Sequence, residues 1–514
     1  MSTRHASTFR LLGVNFALAG LMGVGLFGIA WAQLFPHQEP TNADIWFGCD
    51  PGPIEELDHA DPPVPPRPVA SRRETTRAAR LVVHNDAPGH TLAGAGFNLE
   101  HTLWSCRPFR RVLRRWILEP FQPELARVDA GQLPFAPDYA PAEWLNWDVY
   151  QRMMDDPKYA PGWQLLKRLN RDDVKLMLGV WGAPGAFTDD GTRRGRLLPR
   201  FIDKYVEYYT AVVDYLVRRQ GIRIWAATVM NEPDGGDGSD VDPDDYVEIA
   251  RKLGPSLARY GVLLYGPDTA SAEHALPYVE RLLDEPSVLA YFAAIATHEY
   301  STDNSFGELL RTVRQGGSNL PIYATEYTSF QFGALDRGQE ASNEIGHMLD
   351  SLQVLANLLN GGADAALYWD AVDYYQAGHA AITRWGLLQG PDEAFEPRKR
   401  YFGFLQIVPY LQPGSQVLQT TFSGPQRAIP LAIAGGPENP AHLLVALVNR
   451  GGPLDLALEL AGPAPAELQM YVTDVERDSE AVGRVRLVQG QATVNVPARS
   501  VTTLTVGPAP DEDE

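Results

Sequence analysis

Cysteine is nearly absent: Cys49 and Cys106 are the two thiols in a chain of 514 residues. Neither stands in a CxxC or other metal-ligand spacing, so a thiolate metal site is not indicated. An oxidising compartment would permit the two to pair. Positive charge is also in deficit. The formal net charge is −20 at pH 7, which argues against a nucleic-acid partner, because that affinity rests on a basic surface releasing counterions from phosphates. The sequence contains no P-loop, no GxSxG elbow, no HExxH helix and no dinucleotide fingerprint between a strand and a helix. No internal repeat is present, and no cofactor is implied. These absences leave carboxylate chemistry as the best-supported mechanism.

Hydrophobic residues make up 45% of the chain and aromatic residues 10%, enough for one large domain with a smaller companion and too apolar for disorder. Residues 11–32 form an uncharged apolar stretch preceded by Arg4 and Arg10 and closing on Ala30-Trp31-Ala32, a small-x-small pattern suited to a signal peptidase. At about 20 residues the stretch reads equally as a cleaved signal or as an uncleaved anchor. Either reading places the folded part outside the cytoplasm, secreted or membrane-anchored, and the anchor reading adds a membrane association. Residues 36–80 then carry a run, Pro62-Pro63-Val64-Pro65-Pro66-Arg67-Pro68, that favours extended polyproline conformation and reads as a spacer.

Beyond the spacer, apolar runs alternate with amphipathic helical patterns, the signature of βα units around a parallel sheet. Eight strands are predicted: residues 93–99, 125–129, 175–180, 222–230, 262–266, 293–298, 321–326 and 365–369. Residues 201–219 show the three-and-four spacing of a helix packing on a barrel. After Tyr401 the pattern turns to short alternating runs with Gly and Pro turns, at 443–448, 454–460, 468–472, 492–496 and 501–506, as in a small antiparallel β-domain. The early run 81–84 falls outside the barrel count and is available to that second sheet. The predicted organisation is a signal or anchor at 1–35, a linker at 36–80, a (β/α)8 TIM barrel at 81–410 with 81–86 free to pair elsewhere, a C-terminal antiparallel β-domain at 411–508 and an acidic tail at 509–514.

Asn231-Glu232-Pro233 ends the fourth predicted strand and Thr325-Glu326-Tyr327 the seventh. In an eight-stranded α/β barrel the strands' C-terminal ends converge on one pocket, so these two glutamates meet although far apart in sequence. A retaining glycosidase needs such a pair: one carboxylic acid to protonate the leaving oxygen and one carboxylate to attack the anomeric carbon. Glu232 takes the acid/base role and Glu326 that of nucleophile. Asn231 can hydrogen-bond the sugar 2-OH, and Arg127, ending the second strand, can hold the nucleophile ionised. His298 and Tyr300 lie where the sixth strand ends and can bond nucleophile or substrate. Trp369, ending the eighth, offers an apolar floor for a sugar face; Trp181, Trp144 and Trp147 are candidates for outer subsites. The loop from Asp234 to Asp245 is dense in carboxylates and glycines, but it departs from the EF-hand spacing and reads as a solvated acidic loop rather than a metal site.

These strand-end residues resemble the clan A glycoside hydrolases, and glycoside hydrolase family 30 most of all, with families 5 and 39 as neighbours. The glycine-rich Ala93-Gly94-Ala95-Gly96-Phe97-Asn98, the segment Tyr401-Phe402-Gly403-Phe404, and Val496-Pro497-Ala498-Arg499-Ser500-Val501 are also similar to that family. The resemblance covers about residues 80–508 and implies a β-sandwich fused to the barrel and a retaining β-glycosidase acting on a neutral polysaccharide, oligosaccharide or glycolipid. Departures fall in Val180-Trp181-Gly182-Ala183-Pro184-Gly185 and Asn98-Leu99-Glu100-His101, which leaves the sugar open. Two other readings share these residues: a silent carbohydrate-binding barrel, disfavoured by the presence of both glutamates, and a transglycosidase using the same pair.

Overall fold

A computed structural model of the chain describes residues 75–506 apart from 88, 100–106, 130–151, 153, 303–305, 330–344, 374–384, 391–394 and 438. The apolar segment 11–32, the proline run, both cysteines, Trp144, Trp147 and the acidic tail lie outside the described residues. Among the described residues no helix is long and apolar enough to cross a membrane.

The chain opens with β1 (Arg77–His84) and the two-residue β2 (His90–Thr91). Eight strands then follow: β3 (Gly94–Leu99), β4 (Leu125–Asp129), β5 (Lys175–Gly179), β6 (Ala226–Thr228), β7 (Leu263–Thr269), β8 (Phe292–Glu299), β9 (Ile322–Tyr327) and β10 (Ala365–Tyr368). They pair in parallel and close into a barrel, β10 returning to β3. All eight predicted strands are present. The fourth differs most in extent, since regular pairing covers only 226–228 of the expected 222–230. Strand β7 differs in the other direction and runs three residues past its expected end, through a cis Gly266-Pro267 bond.

Barrel strands are buried on both faces, which is why they read as continuous apolar runs rather than alternating ones. Inside, Leu125, Met177, Ala226, Tyr265, Ala294, Tyr323, Ala365 and Leu367 form one cluster. Outside, helices such as Ile202–Asp214 cover the strands with Tyr205, Val206, Tyr209, Val212 and Val213. The helix Pro243–Ala258 starts at Asp242, whose side chain accepts from the Asp245 N–H, satisfying one of the amide donors that a helix N-terminus leaves open.

The remaining strands, β11 (Gln416–Val417), β12 (Thr420–Ser423), β13 (Ala428–Ala434), β14 (Leu443–Asn449), β15 (Leu454–Ala461), β16 (Glu467–Thr473), β17 (Glu480–Arg486), β18 (Gln491–Val496) and β19 (Ser500–Val506), build two further sheets. One has the order β12-β1-β15-β18 and the other β17-β16-β19-β14-β13-β11-β2. Their facing sides share a second core of Leu81, Val83, Leu443, Val445, Leu456, Leu458, Leu468 and Leu504. Strand β1 therefore belongs to the sandwich, pairing in parallel with β15 and antiparallel with β12. The helix Ile345–Asn360 ties the two units together: Asn360 donates to the Pro430 carbonyl at 2.9 Å, and Arg450 reaches both Gln353 at 2.7 Å and Asp350 at 2.6 Å.

Candidate active site

The site forms at the C-terminal ends of the barrel strands. Arg127 projects from β4 and is completely buried, a position a guanidinium occupies only when its donors are matched. Here Nη1 donates to Asn98 Oδ1 at 3.0 Å and to Glu326 Oε1, Nη2 to Asp268 Oδ2 at 2.8 Å and to Asn231 Oδ1, and Nε to the Tyr265 hydroxyl at 3.1 Å. The Trp181 ring lies 4.4 Å from the guanidinium carbon, a cation–π contact on the remaining face. Asn98 is itself fixed by donating to the carbonyls of Thr325 and Tyr368.

Glu326, on β9, has two donors on its two oxygens: Arg127 on Oε1 and the Tyr300 hydroxyl on Oε2. Burial, and then the neighbouring Glu326 charge, push the Tyr300 phenol well above its ordinary pKa, so it stays a neutral donor. Glu232 follows β6. Its Oε1 faces His298 Nδ1 at 2.9 Å and its Oε2 accepts from the Asp237 amide. A β-carbon at Gly236 would lie 2.2 Å from that same oxygen, and one at Gly238 would lie 1.7 Å from the Asn231 carbonyl, so the loop must be bare at both positions to wrap the carboxyl group. Burial raises the Glu232 pKa to about 7, although the bond from His298 opposes the rise.

One oxygen of Glu232, one of Glu326 and an imidazole nitrogen of His298 lie within 4.8 Å of one another. That spacing could admit an ion, but His298 already supplies positive charge there. Burial alone would lower its pKa, and the surrounding Glu326, Asp268 and Glu232 reverse this and raise it to about 10. Two cations thus face two buried carboxyl groups, His298 against Glu232 and Arg127 against Glu326.

Of the residues singled out by sequence, Glu232, Glu326, Arg127, Asn231, His298 and Tyr300 converge on this one cluster. Trp369 and Trp181 stand beside it with ring centroids 5.9 Å apart; Trp181 is largely covered while Trp369 is half-buried. Four participants escaped the sequence reading: Asn98, Tyr265, Asp268 and the Asp237 amide. The acidic loop is engaged within the protein. Asp237 pairs with Arg194, Asp242 with Arg196, Asp244 with Arg281 at 2.6 Å and Asp234 with His274 Nδ1 at 2.6 Å.

Residues 217–358, which span β6 to β9 and contain both glutamates, match the family model described as the glycosyl hydrolase catalytic core. Solved structures similar to most of the chain include a glycoside hydrolase family 30 endoxylanase from Clostridium papyrosolvens, with TM-score 0.63 and 15% identity over 84% of this chain and 100% of that one. A family 30 subfamily 8 xylanase from Clostridium acetobutylicum has TM-score 0.63 and 17% identity over 83% of this chain and 99% of that one. An endo-beta1,6-glucanase has TM-score 0.61 and 15% identity over 83% and 93% respectively. Residues 217–358 are thus similar to a glycosyl hydrolase catalytic core. The chain's barrel and sandwich together form a family 30-like glycoside hydrolase fold.

Proposed function

We propose that the protein is a retaining β-glycoside hydrolase, acting without a cofactor on a neutral polysaccharide, oligosaccharide or glycolipid. The observation that carries the reading is the separation of the two carboxyl groups, whose oxygens approach within 4.8 Å. Retaining enzymes hold their pair roughly 5–5.5 Å apart, whereas inverting enzymes need about 6.5–9.5 Å to seat a water between sugar and base. Glu326 attacks the anomeric carbon as Glu232 delivers its proton to the departing oxygen, leaving a covalent glycosyl ester on Glu326. Glu232, now a carboxylate, takes a proton from water, and that water releases the sugar from Glu326 with its original configuration. The Asn231 amide, turned by Arg127 so that Oδ1 accepts, keeps its NH2 as donor to the sugar 2-OH. Trp369 and Trp181 offer flat apolar faces to the ring. The apolar segment 11–32 with its flanking arginines supports export of the enzyme.

Screening aryl β-glycosides and β-linked polysaccharides identifies the sugar, and proton NMR of the first product then tests the reaction: the β-anomer should form first, and initial release of the α-anomer would overturn the assignment. A pH dependence follows from Glu232. Its acid form is required for leaving-group protonation, so kcat/KM on substrates with poor leaving groups should fall as pH rises through about 7. Activated aryl glycosides need little protonation, and the same limb should be much shallower for them.

A further inference from the structure

The fifth barrel strand contributes a side chain that the reaction above does not use. Asp268 is completely buried on β7. Its carboxylate meets Arg127 Nη2 from β4 at 2.8 Å, lies 3.4 Å from His298 Nε2 on β8, and accepts from the Thr325 hydroxyl on β9. Its own carbonyl accepts from the Glu232 N–H at 2.9 Å. Both residues of that backbone contact have left-handed φ, +67° at Asp268 and +40° at Glu232, a conformation non-glycine residues keep only where their surroundings over-determine it. Asp268 thus touches every element that carries a catalytic glutamate or one of its cations.

We propose that Asp268 is a positioning residue: it anchors Arg127 and His298 from within the barrel so that Arg127 is aimed at Glu326 and a charged His298 at Glu232. This rests on the roles assigned to the two glutamates above. The groups facing it are Arg127 on β4, Tyr265 on its own strand, His298 on β8, and the phenols of Tyr209 and Tyr246 on surrounding helices, with Glu326 across Arg127 and Glu232 at its backbone contact. Burial opposes an ionised Asp268, but Arg127 and His298 overcome it and hold the group well below the usual carboxylate range. In return the anion offsets one of the two buried cations.

The substitution Asp268→Asn keeps the shape and removes the charge. In the full-length chain labelled with 15N-histidine, the ring signals of His298, identified by their loss in His298→Gln, should report an imidazolium at pH 8 in the wild type and a neutral ring in Asp268→Asn. Turnover should fall about 10- to 100-fold, with kcat affected more than KM. Losing the imidazolium removes the cation that restrains Glu232, so the basic limb of the pH profile should move to higher pH. An unchanged imidazolium and a pH profile of unchanged shape would overturn the proposal, however large the fall in amplitude. If Asp268→Asn does not fold, Asp268→Ser, which also removes the carboxylate, should give the same displacements; wild-type spectra and profile in that variant would equally overturn it. The ring spectra need no turnover, so a wild type without glycosidase activity would refute the proposed reaction and leave the anchoring of His298 to be decided by the spectra.

Discussion

Replacing Glu326 with alanine should lower turnover by a factor on the order of 10⁴ or more on every substrate, activated or not. The reason is that no other group can form the glycosyl ester. Tyr300, the other side chain that reaches this carboxylate besides Arg127 and His298, is held neutral chiefly by burial, which the substitution leaves in place. The fold should survive. Deleting the carboxylate removes an acceptor from the Tyr300 hydroxyl and one from Arg127, a loss of about 1–3 kcal/mol for each. Arg127 keeps Asp268, Asn231 and Asn98, so the larger penalty of an orphaned buried charge does not apply. A thermal melt close to wild type alongside absent turnover is the expected pair of results. Added azide should fit the vacated space and attack from the same face, giving a glycosyl azide of inverted configuration. Substantial turnover without azide would remove Glu326 from its role.

The residues that converge on the site were legible in the sequence for a physical reason, and those that were missed have equally physical ones. Strands buried on both faces must be apolar throughout, so their ends stand out where the first polar residues follow; Asn231-Glu232 and Thr325-Glu326 are such ends. Asp268 was hidden because β7 runs through Gly266-Pro267, a dipeptide that ordinarily stops a strand, and the aspartate therefore lay in what read as a turn. Tyr265 lies within an apolar run and is indistinguishable there from core packing. The Asp237 contribution is a backbone amide, which no side-chain pattern reveals. In the sandwich, β17 was missed since its residues are mostly exposed and lack an apolar alternation, while β13 carries Pro430 in its middle. Strand β1 could be recognised as a strand, but its partners lie more than 300 residues away, a pairing that local pattern cannot assign.

Replacing Glu232 with alanine should divide substrates by their leaving groups. On polysaccharides and alkyl glycosides the departing oxygen must be protonated, and loss of the acid should cost about 10²- to 10⁴-fold. On activated aryl glycosides the first step should proceed almost normally, but the second, which needs Glu232 as base for water, should stall. The covalent intermediate then accumulates: a burst of aryl alcohol equal to the enzyme present, followed by slow steady turnover with an apparent KM far below that of the wild type. A small anion such as azide needs no base, so it should restore turnover by intercepting the ester, and the product should keep the substrate's configuration. The same anion therefore gives opposite anomers in the two alanine variants, because in one it replaces the nucleophile and in the other it replaces the water. Equal losses on poor and good leaving groups, or an inverted azide product from the Glu232 variant, would show that the two carboxyl groups do not divide the work as their surroundings indicate, with Glu232 buried and raised toward neutral pH and Glu326 bonded by Arg127 and Tyr300.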